Sequence, residues 1–302
     1  MTMAGRGQAG VPTLPIPAAM RRTLPVIVLL VLMGTMAPAS VASASPVRVP
    51  AAAPTAPKLP DPVECPGCYA PALETSWQWQ LSHAVDISVD VEMYDIDGFE
   101  ATSGLIDDLH ADGRKVVCYI SAGSWENWRP DADEFPDSVL GRSNGWPGEK
   151  WLDIRKVGIL GPIMKARLDM CDAKGFDAVE FDNVDGYQNH TGFELTGADQ
   201  LKYDVFLANQ ARRRGMSAVL KNDLGQITKL LPYFDFALNE QCHQYHECNR
   251  LDAFVEAGKA VFGVEYKLAK SEFCPQANAH NFNFLKKKLN LGVWRSPCRK
   301  PA

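Results

Sequence analysis

The sequence predicts an α/β fold, a single (β/α)8 barrel of the TIM type. Three observations carry this. Short runs rich in β-branched and aromatic residues alternate with helical patterns from Trp77 onward, and repeated units of this length imply a parallel sheet with helices between its strands. The alternating stretch suits a barrel of ~250 residues. No G-x-G-x-x-G or Walker glycine loop follows any of the runs, which counts against a doubly wound open sheet.

The elements follow in order. Residues 77–81 and 92–96 read as the first two strands, and 101–111 as a helix that Gly113 ends in the usual C-terminal manner. Residues 115–121 form a strand, and 151–154 are a further strand candidate. Residues 159–173 form an amphipathic helix stopped by Gly175, and 177–182 a strand. Thr196 caps a helix running through Arg214, with Asp199 in its first turn and Arg212, Arg213 and Arg214 in its last. Residues 217–222 and 234–239 are strands with a short helix between them. Residues 251–257 are helical, 259–266 a strand and 282–289 a last helix, followed by Gly292, Val293 and Trp294. These are nine strand candidates for eight places, so either 151–154 or the Trp294 segment is expected to be peripheral.

The 302-residue chain is divided by charge. Its first 60 residues hold five of the 31 basic residues and none of the 36 acids, which leaves the remainder near −10. A basic face for phosphate is lacking, so nucleic acid is excluded as a partner. Arg21 and Arg22 precede an apolar run, 24–36, and Ala42, Ser43 and Ala44 match an A-x-A cut site. The run is shorter than the ~20 residues a membrane span needs. Residues 1–44 are therefore expected to be a signal peptide. Residues 45–68 form a Pro/Ala-rich linker with a cysteine-containing lead-in, and 69–302 form the barrel. The product is expected outside the cell as a monomer, without membrane contact after cleavage.

Eight cysteines fit an oxidising compartment. Cys242 and Cys248 are spaced to staple one loop, and Cys274 and Cys298 to tie down the C-terminal segment. Cys65 and Cys68 form a lone CxxC with no second half-site, and His243 and His246 flank Tyr245 in a loop. No metal and no cofactor is expected.

Acids gather where the strands end: Asp95, Asp97, Glu180, Asp182, Asp185, Glu240 and Glu265. In a barrel of this type the chemistry sits at those ends. Alternation puts Glu180 and Asp182 on one strand face, opposite Val179 and Phe181. Like charges raise one another's pKa, so such crowding is costly unless the chemistry needs it. Two carboxylates across a cleft are what glycoside hydrolysis uses. Trp77, Trp79, Tyr94, Tyr119, Trp125, Trp128, Tyr187, Tyr245 and Tyr266 supply rings in or just after strands. No G-x-S-x-G elbow appears.

Five runs in order sharpen this: WQWQLS from Trp77, MYDIDG from Met93, VCYISAGSWE from Val117, EFDNVDGY from Glu180 and NEQC from Asn239. Together they resemble glycoside hydrolase family 114, secreted endo-α-1,4-polygalactosaminidases with a barrel fold. The resemblance implies a catalytic pair at Asp182 and Glu240. If 151–154 is peripheral, Asp182 tops the fourth strand and Glu240 the sixth, a layout similar to that of retaining α-galactosidases, with Asp182 as nucleophile and Glu240 as acid/base. An inverting route stays open at this point. Trp79, Asp95, Tyr119, Glu180, Lys221 and Glu265 are expected to bind substrate around the cleaved bond. The partner is a carbohydrate polymer, and polygalactosamine, a polycation, matches the acidic body. The competing readings are another α-glycosidase of similar fold and a barrel that binds carbohydrate without cleaving it.

Overall fold

The computed structural model describes residues 58–299. The expected signal peptide and the linker up to residue 57 lie outside the described residues. The described part of the lead-in is tied down. Val63 N–H donates to Asn209 Oδ1 at 2.8 Å, and Tyr233 Oη donates to the Pro60 carbonyl at 2.7 Å.

In chain order the elements are β1 (Trp77–Gln80), β2 (Met93–Asp97), α1 (Ser103–Ala111), β3 (Lys115–Ser121), β4 (Ser124–Glu126) and β5 (Glu149–Trp151). Next come α2 (Val157–Lys174), β6 (Ala178–Asp182), α3 (Gly197–Arg212), β7 (Ser217–Lys221), α4 (Ile227–Leu230) and β8 (Phe236–Glu240). The last are α5 (Asp252–Glu256), β9 (Val261–Glu265), α6 (Lys270–Ala279), β10 (Asn283–Lys287) and β11 (Arg295–Pro297). The main sheet runs β1-β2-β3-β6-β7-β8-β9-β10-β11, parallel throughout except for the β10–β11 pair. This is the expected α/β barrel, eight parallel strands with helices outside.

Both doubtful strand candidates are peripheral. β5 pairs antiparallel with β4 in a hairpin above the barrel, and β11 flanks β10. The eighth barrel place belongs to residues 283–287, which the sequence reading takes as helix. Phe282, Leu285 and Leu289 have helical spacing, but tertiary contacts decide the conformation. Lys287 Nζ donates to the Gly292 carbonyl at 2.7 Å and Lys286 Nζ to the Tyr266 carbonyl at 2.8 Å. Lys286 and Lys287 thus bond to backbone carbonyls, and residues 283–286 pair in parallel with β9. Helix α6 was not anticipated, since Pro275 interrupts its pattern.

Helix ends follow their local chemistry. Thr196 and Asp199 form a reciprocal capping box at the start of α3. Gly175, at φ 94°, closes α2 in the left-handed conformation.

The core has two parts. Inside the ring, Trp77, Trp79, Met93, Val117, Phe236 and Phe262 pack together with period-2 spacing along their strands. A larger cluster fills the space between sheet and helices. Four disulfides join Cys65 to Cys68, Cys118 to Cys171, Cys242 to Cys248 and Cys274 to Cys298. The last two are the pairs expected from spacing.

The ring is not closed by a backbone ladder between β1 and β10. Side chains and loop backbone bridge that seam. Trp77 Nε1 donates to the Asn283 carbonyl at 2.9 Å, Lys287 Nζ to Gln78 Oε1 at 3.3 Å and Gln78 Nε2 to the Val293 carbonyl at 2.7 Å. Leu81 N–H also donates to the Leu291 carbonyl at 2.9 Å.

Candidate active site

A cleft of about 510 Å³ opens at the C-terminal ends of the strands. Asp182 ends β6, the fourth barrel strand, and Glu240 ends β8, the sixth. The next residues, Asn183 and Gln241, both have φ 63°, and Asn222, which follows Lys221, has φ 51°. The backbone thus turns sharply just past Asp182, Lys221 and Glu240, and asparagine tolerates that conformation better than most residues. Gly123 lies against the first of these turns. A Cβ there would fall 1.7 Å from the Asn183 carbonyl oxygen, so no other residue fits.

Lys221 organises the site. Its ammonium, almost fully buried, lies 2.8 Å from Glu180 Oε1, 3.0 Å from Asp182 Oδ1 and 3.4 Å from Glu240 Oε2. It also sits 4.6 Å from the centre of the Trp79 ring, a cation–π contact that closes the floor. Tyr119 Oη donates to Asp182 Oδ2 at 2.8 Å. Asn183 Nδ2 reaches the same oxygen at 3.2 Å. Glu240 accepts from Asn222 Nδ2 at 3.3 Å through Oε2 and from Tyr266 Oη through Oε1.

These contacts set the charges. Burial alone pushes the Asp182 carboxyl up. The Lys221 ammonium, with hydrogen bonds from Lys221, Tyr119 and the Asn183 backbone, overcomes that and holds it below the ordinary carboxylate range. Burial followed by the nearby charge of Glu180 drives Asp95 far above its ordinary value. Buried beside Glu180, Asp95 is thereby biased toward its protonated form, and neither of its carboxyl oxygens has a hydrogen-bond partner among the described residues. Lys221 is held well above its usual value, since three carboxylates outweigh its burial.

The six expected substrate-binding residues divide. Trp79, Tyr119 and Lys221 line the cleft beside Asp182 and Glu240. Asp95, 1 % exposed, and Glu180, 0 %, lie under the floor and do not reach the opening, and of the two only Glu180 pairs with Lys221. Glu265 is placed elsewhere. Val264 points into the barrel, so its neighbour Glu265 points outward. Glu265 accepts the backbone N–H groups of His243 at 2.9 Å and Gln244 at 3.2 Å, bracing the loop after β8. Tyr266, one residue on, is the side chain of β9's end that reaches Glu240. Cys242 and Cys248 lie beside His243, but their disulfide removes the thiolates a metal would use.

Sequence reasoning did not assign Glu149, Trp146, Arg129 or Asn222 to the cleft wall, which they line. Glu149 and Trp146 come from the long insertion between β3 and α2, and nothing in a linear pattern shows that it folds back over the mouth. Trp128 and Trp146, 50 % and 51 % exposed, stand at the lip as open rings.

Fold and site together define a barrel glycosidase: a carboxylate pair on the fourth and sixth strands, facing a cleft with exposed rings at its rim. Residues 61–302 match the model of glycoside hydrolase family GH114, and the chain belongs to that family. It is similar to Ega3 of Aspergillus fumigatus, whose crystal structure is a complex with galactosamine. The two share 42 % identity over 79 % of this chain and 100 % of that one, with a TM-score of 0.75. The glycoside hydrolase domain of PelA from Pseudomonas aeruginosa is 12 % identical over 73 % of this chain and 97 % of that one, and its TM-score of 0.59 speaks to the fold. An uncharacterized protein of Deinococcus radiodurans is 26 % identical over 181 residues. That match covers 52 % of this chain and 57 % of the relative, so the chain spans little more than half of that protein's length.

Proposed function

We propose that this chain is a secreted, endo-acting hydrolase of α-1,4-linked galactosamine polymers, with Asp182 as nucleophile and Glu240 as acid/base. The observation that carries this is the cleft's electrostatics. Seven carboxylates line it against two cations, Arg129 and Lys221, a surface complementary to a polyamine. The galactosamine in the crystal structure of the 42 % identical Aspergillus protein supports the same substrate class. Four disulfides support an extracellular setting.

In this mechanism Glu240 protonates the glycosidic oxygen while ionised Asp182 attacks the anomeric carbon. The leaving chain departs and a glycosyl ester forms on Asp182. Glu240, now a carboxylate, takes a proton from water, whose oxygen attacks the same carbon and releases Asp182. The geometry favours this double displacement. Asp182 Oδ1 and Glu240 Oε2 contact one ammonium, at 3.0 and 3.4 Å, a close placement that supports the retaining reading over one that leaves room for a water between the carboxyls. Trp128 and Trp146, exposed at the lip of the cleft, offer stacking faces for sugar units.

Reducing-end release from deacetylated galactosamine polymer, with chitosan as control, tests the assignment. Asp182→Asn and Glu240→Gln keep side-chain shape and are expected to lose several orders of magnitude in turnover while still binding polymer. Either variant keeping more than a tenth of the wild-type rate, a barrier change under ~1.4 kcal/mol, refutes the role given to that residue.

A further inference from the structure

The carboxylates of the cleft wall differ in what neutralises them. Asp97 and Glu126 share the Arg129 guanidinium, with four contacts between 2.7 and 2.9 Å. Asp182 and Glu240 share Lys221. Glu100 is exposed and water screens it. Glu149 and Asp185 remain. Both are half-buried on the wall, and neither has a protein cation within 4 Å among the described residues.

Their hydrogen bonds come from neutral groups only. Glu149 Oε2 accepts Ser124 Oγ at 2.9 Å and Asn144 Nδ2 at 2.6 Å. Asp185 Oδ1 accepts Asn189 Nδ2 at 3.2 Å. The other oxygen of each, Glu149 Oε1 and Asp185 Oδ2, has no donor among the described residues. Both stand next to Asp182. Asn183 Nδ2 contacts Asp182 Oδ2 and also, at 3.2 Å, the Ser124 Oγ that donates to Glu149. Asp185 lies three residues beyond Asp182 on the same loop.

We infer that Glu149 and Asp185 are specificity-determining residues, each receiving a protonated amine of the sugar chain through its unengaged oxygen, so that the cleft takes free amino-sugar and rejects the N-acetylated form. This rests on the function proposed above and adds how the substrate is read. An ammonium brings a positive charge and three donors to a carboxylate held partly out of water, and charge-assisted bonds of that kind are the strong ones. An acetamide brings one N–H, no charge and a methyl group, and it leaves the carboxylate desolvated and unmatched. Both carboxyls carry the mark of uncompensated charge. Burial, then the charge of Asp182, pushes Asp185 up to about 6, and burial raises Glu149.

The test uses the full chain carrying Asp182→Asn, so that ligand survives the measurement. Calorimetry compares a galactosamine tetramer with its fully N-acetylated counterpart at fixed salt. The Asp182→Asn protein is expected to prefer the free amine more than tenfold. Adding Glu149→Gln or Asp185→Asn, which keep shape and remove charge, is expected to weaken free-amine binding about tenfold each, ~1.4 kcal/mol. Binding of the N-acetylated tetramer should stay unchanged. An unaltered ratio of the two affinities in both added variants overturns the inference. Should Glu149→Gln not fold, Glu149→Asp withdraws the charge from reach and is read against the same ratio. The two levels separate cleanly. A wild type that hydrolyses no galactosamine polymer sinks the proposed function and this inference with it. A wild type that hydrolyses the polymer, with variants that keep the ratio, sinks this inference alone.

Discussion

Replacing Lys221 with Met keeps the length of the side chain and its packing on Trp79 but removes the charge that Glu180, Asp182 and Glu240 share. Breaking a buried ion pair by deleting one partner costs about 3–5 kcal/mol, because the other is left unmatched. Lys221 is 1 % exposed and Glu180 0 %, so solvent gives little relief and the full range applies. With a urea m-value of about 2–3 kcal/mol/M, the unfolding midpoint at pH 7 should fall by about 1–2.5 M. The sign with pH also follows. In the wild type Asp182 is held below its unfolded value, so its contribution is present above an unfolded pKa of ~3.9 and is lost as pH falls through the folded value. Without Lys221, burial dominates and the folded value lies above the unfolded one. The variant then carries a penalty at neutral pH that fades as the group protonates. The gap between the two proteins should therefore be widest near neutrality and should narrow below about pH 4. Urea titrations at pH 7 and pH 4 with disulfides intact measure this. The acid limb of kcat/KM on galactosamine polymer should move to higher pH in the variant. An unchanged midpoint at pH 7 together with an unmoved acid limb would refute the reasoning.

Two further outcomes are expected. Removing Cys118–Cys171, whose partners are 53 residues apart, should cost about 4 kcal/mol by chain entropy, against about 2 for Cys242–Cys248, 6 apart. Denaturant midpoints of the two double-alanine variants would show the reverse order if the loop argument fails. Burial, then the charge of Arg295, lowers the Lys287 amine to about 7. The unfolded chain thus binds one more proton between about pH 7 and an unfolded value of ~10.4, and wild-type stability should rise across that window. Lys287→Met should flatten that rise in a pH series of melting curves, and an equal slope in both proteins would count against it.

Much of this was legible in the sequence because strand interiors are read by local pattern. The acid-ended runs put Asp182 and Glu240 among seven acids at strand ends, the family resemblance singled out those two, and the Thr196 cap and Gly175 stop marked helix ends. What failed depended on distant contacts. Residues 283–287 are a strand because they pair with β9, a long-range backbone contact, and β9's own residues give no local sign of it. Glu265 is the charged residue at the end of its strand, but Tyr266 shares the inward face of Val264 and is the one that reaches Glu240. Asp95 and Glu180 were on the correct face but one layer too deep, and depth along a strand depends on how neighbouring strands stagger. Glu149 and Trp146 sit on a hairpin whose path over the mouth has no periodic signature.

The seam between β1 and β10 dictates when the enzyme comes into being. Trp77 and Asn283 are 206 residues apart yet meet directly. Until β10 and the segment after it are synthesised and docked, the side-chain and loop bridges that cover the edge of β1 are missing, which invites pairing with other chains, and the cleft lacks the wall formed by Leu289, Asn290 and Leu291. A nascent chain emerging from β1 to β9 thus holds Asp182, Lys221 and Glu240 but has no complete groove in which to seat a polymer. Activity arrives with β10, and the Cys274–Cys298 bond then joins α6 to the segment after β11, on either side of that strand in the chain. Such long-range closure makes for slow maturation and for aggregation whenever the final step is delayed.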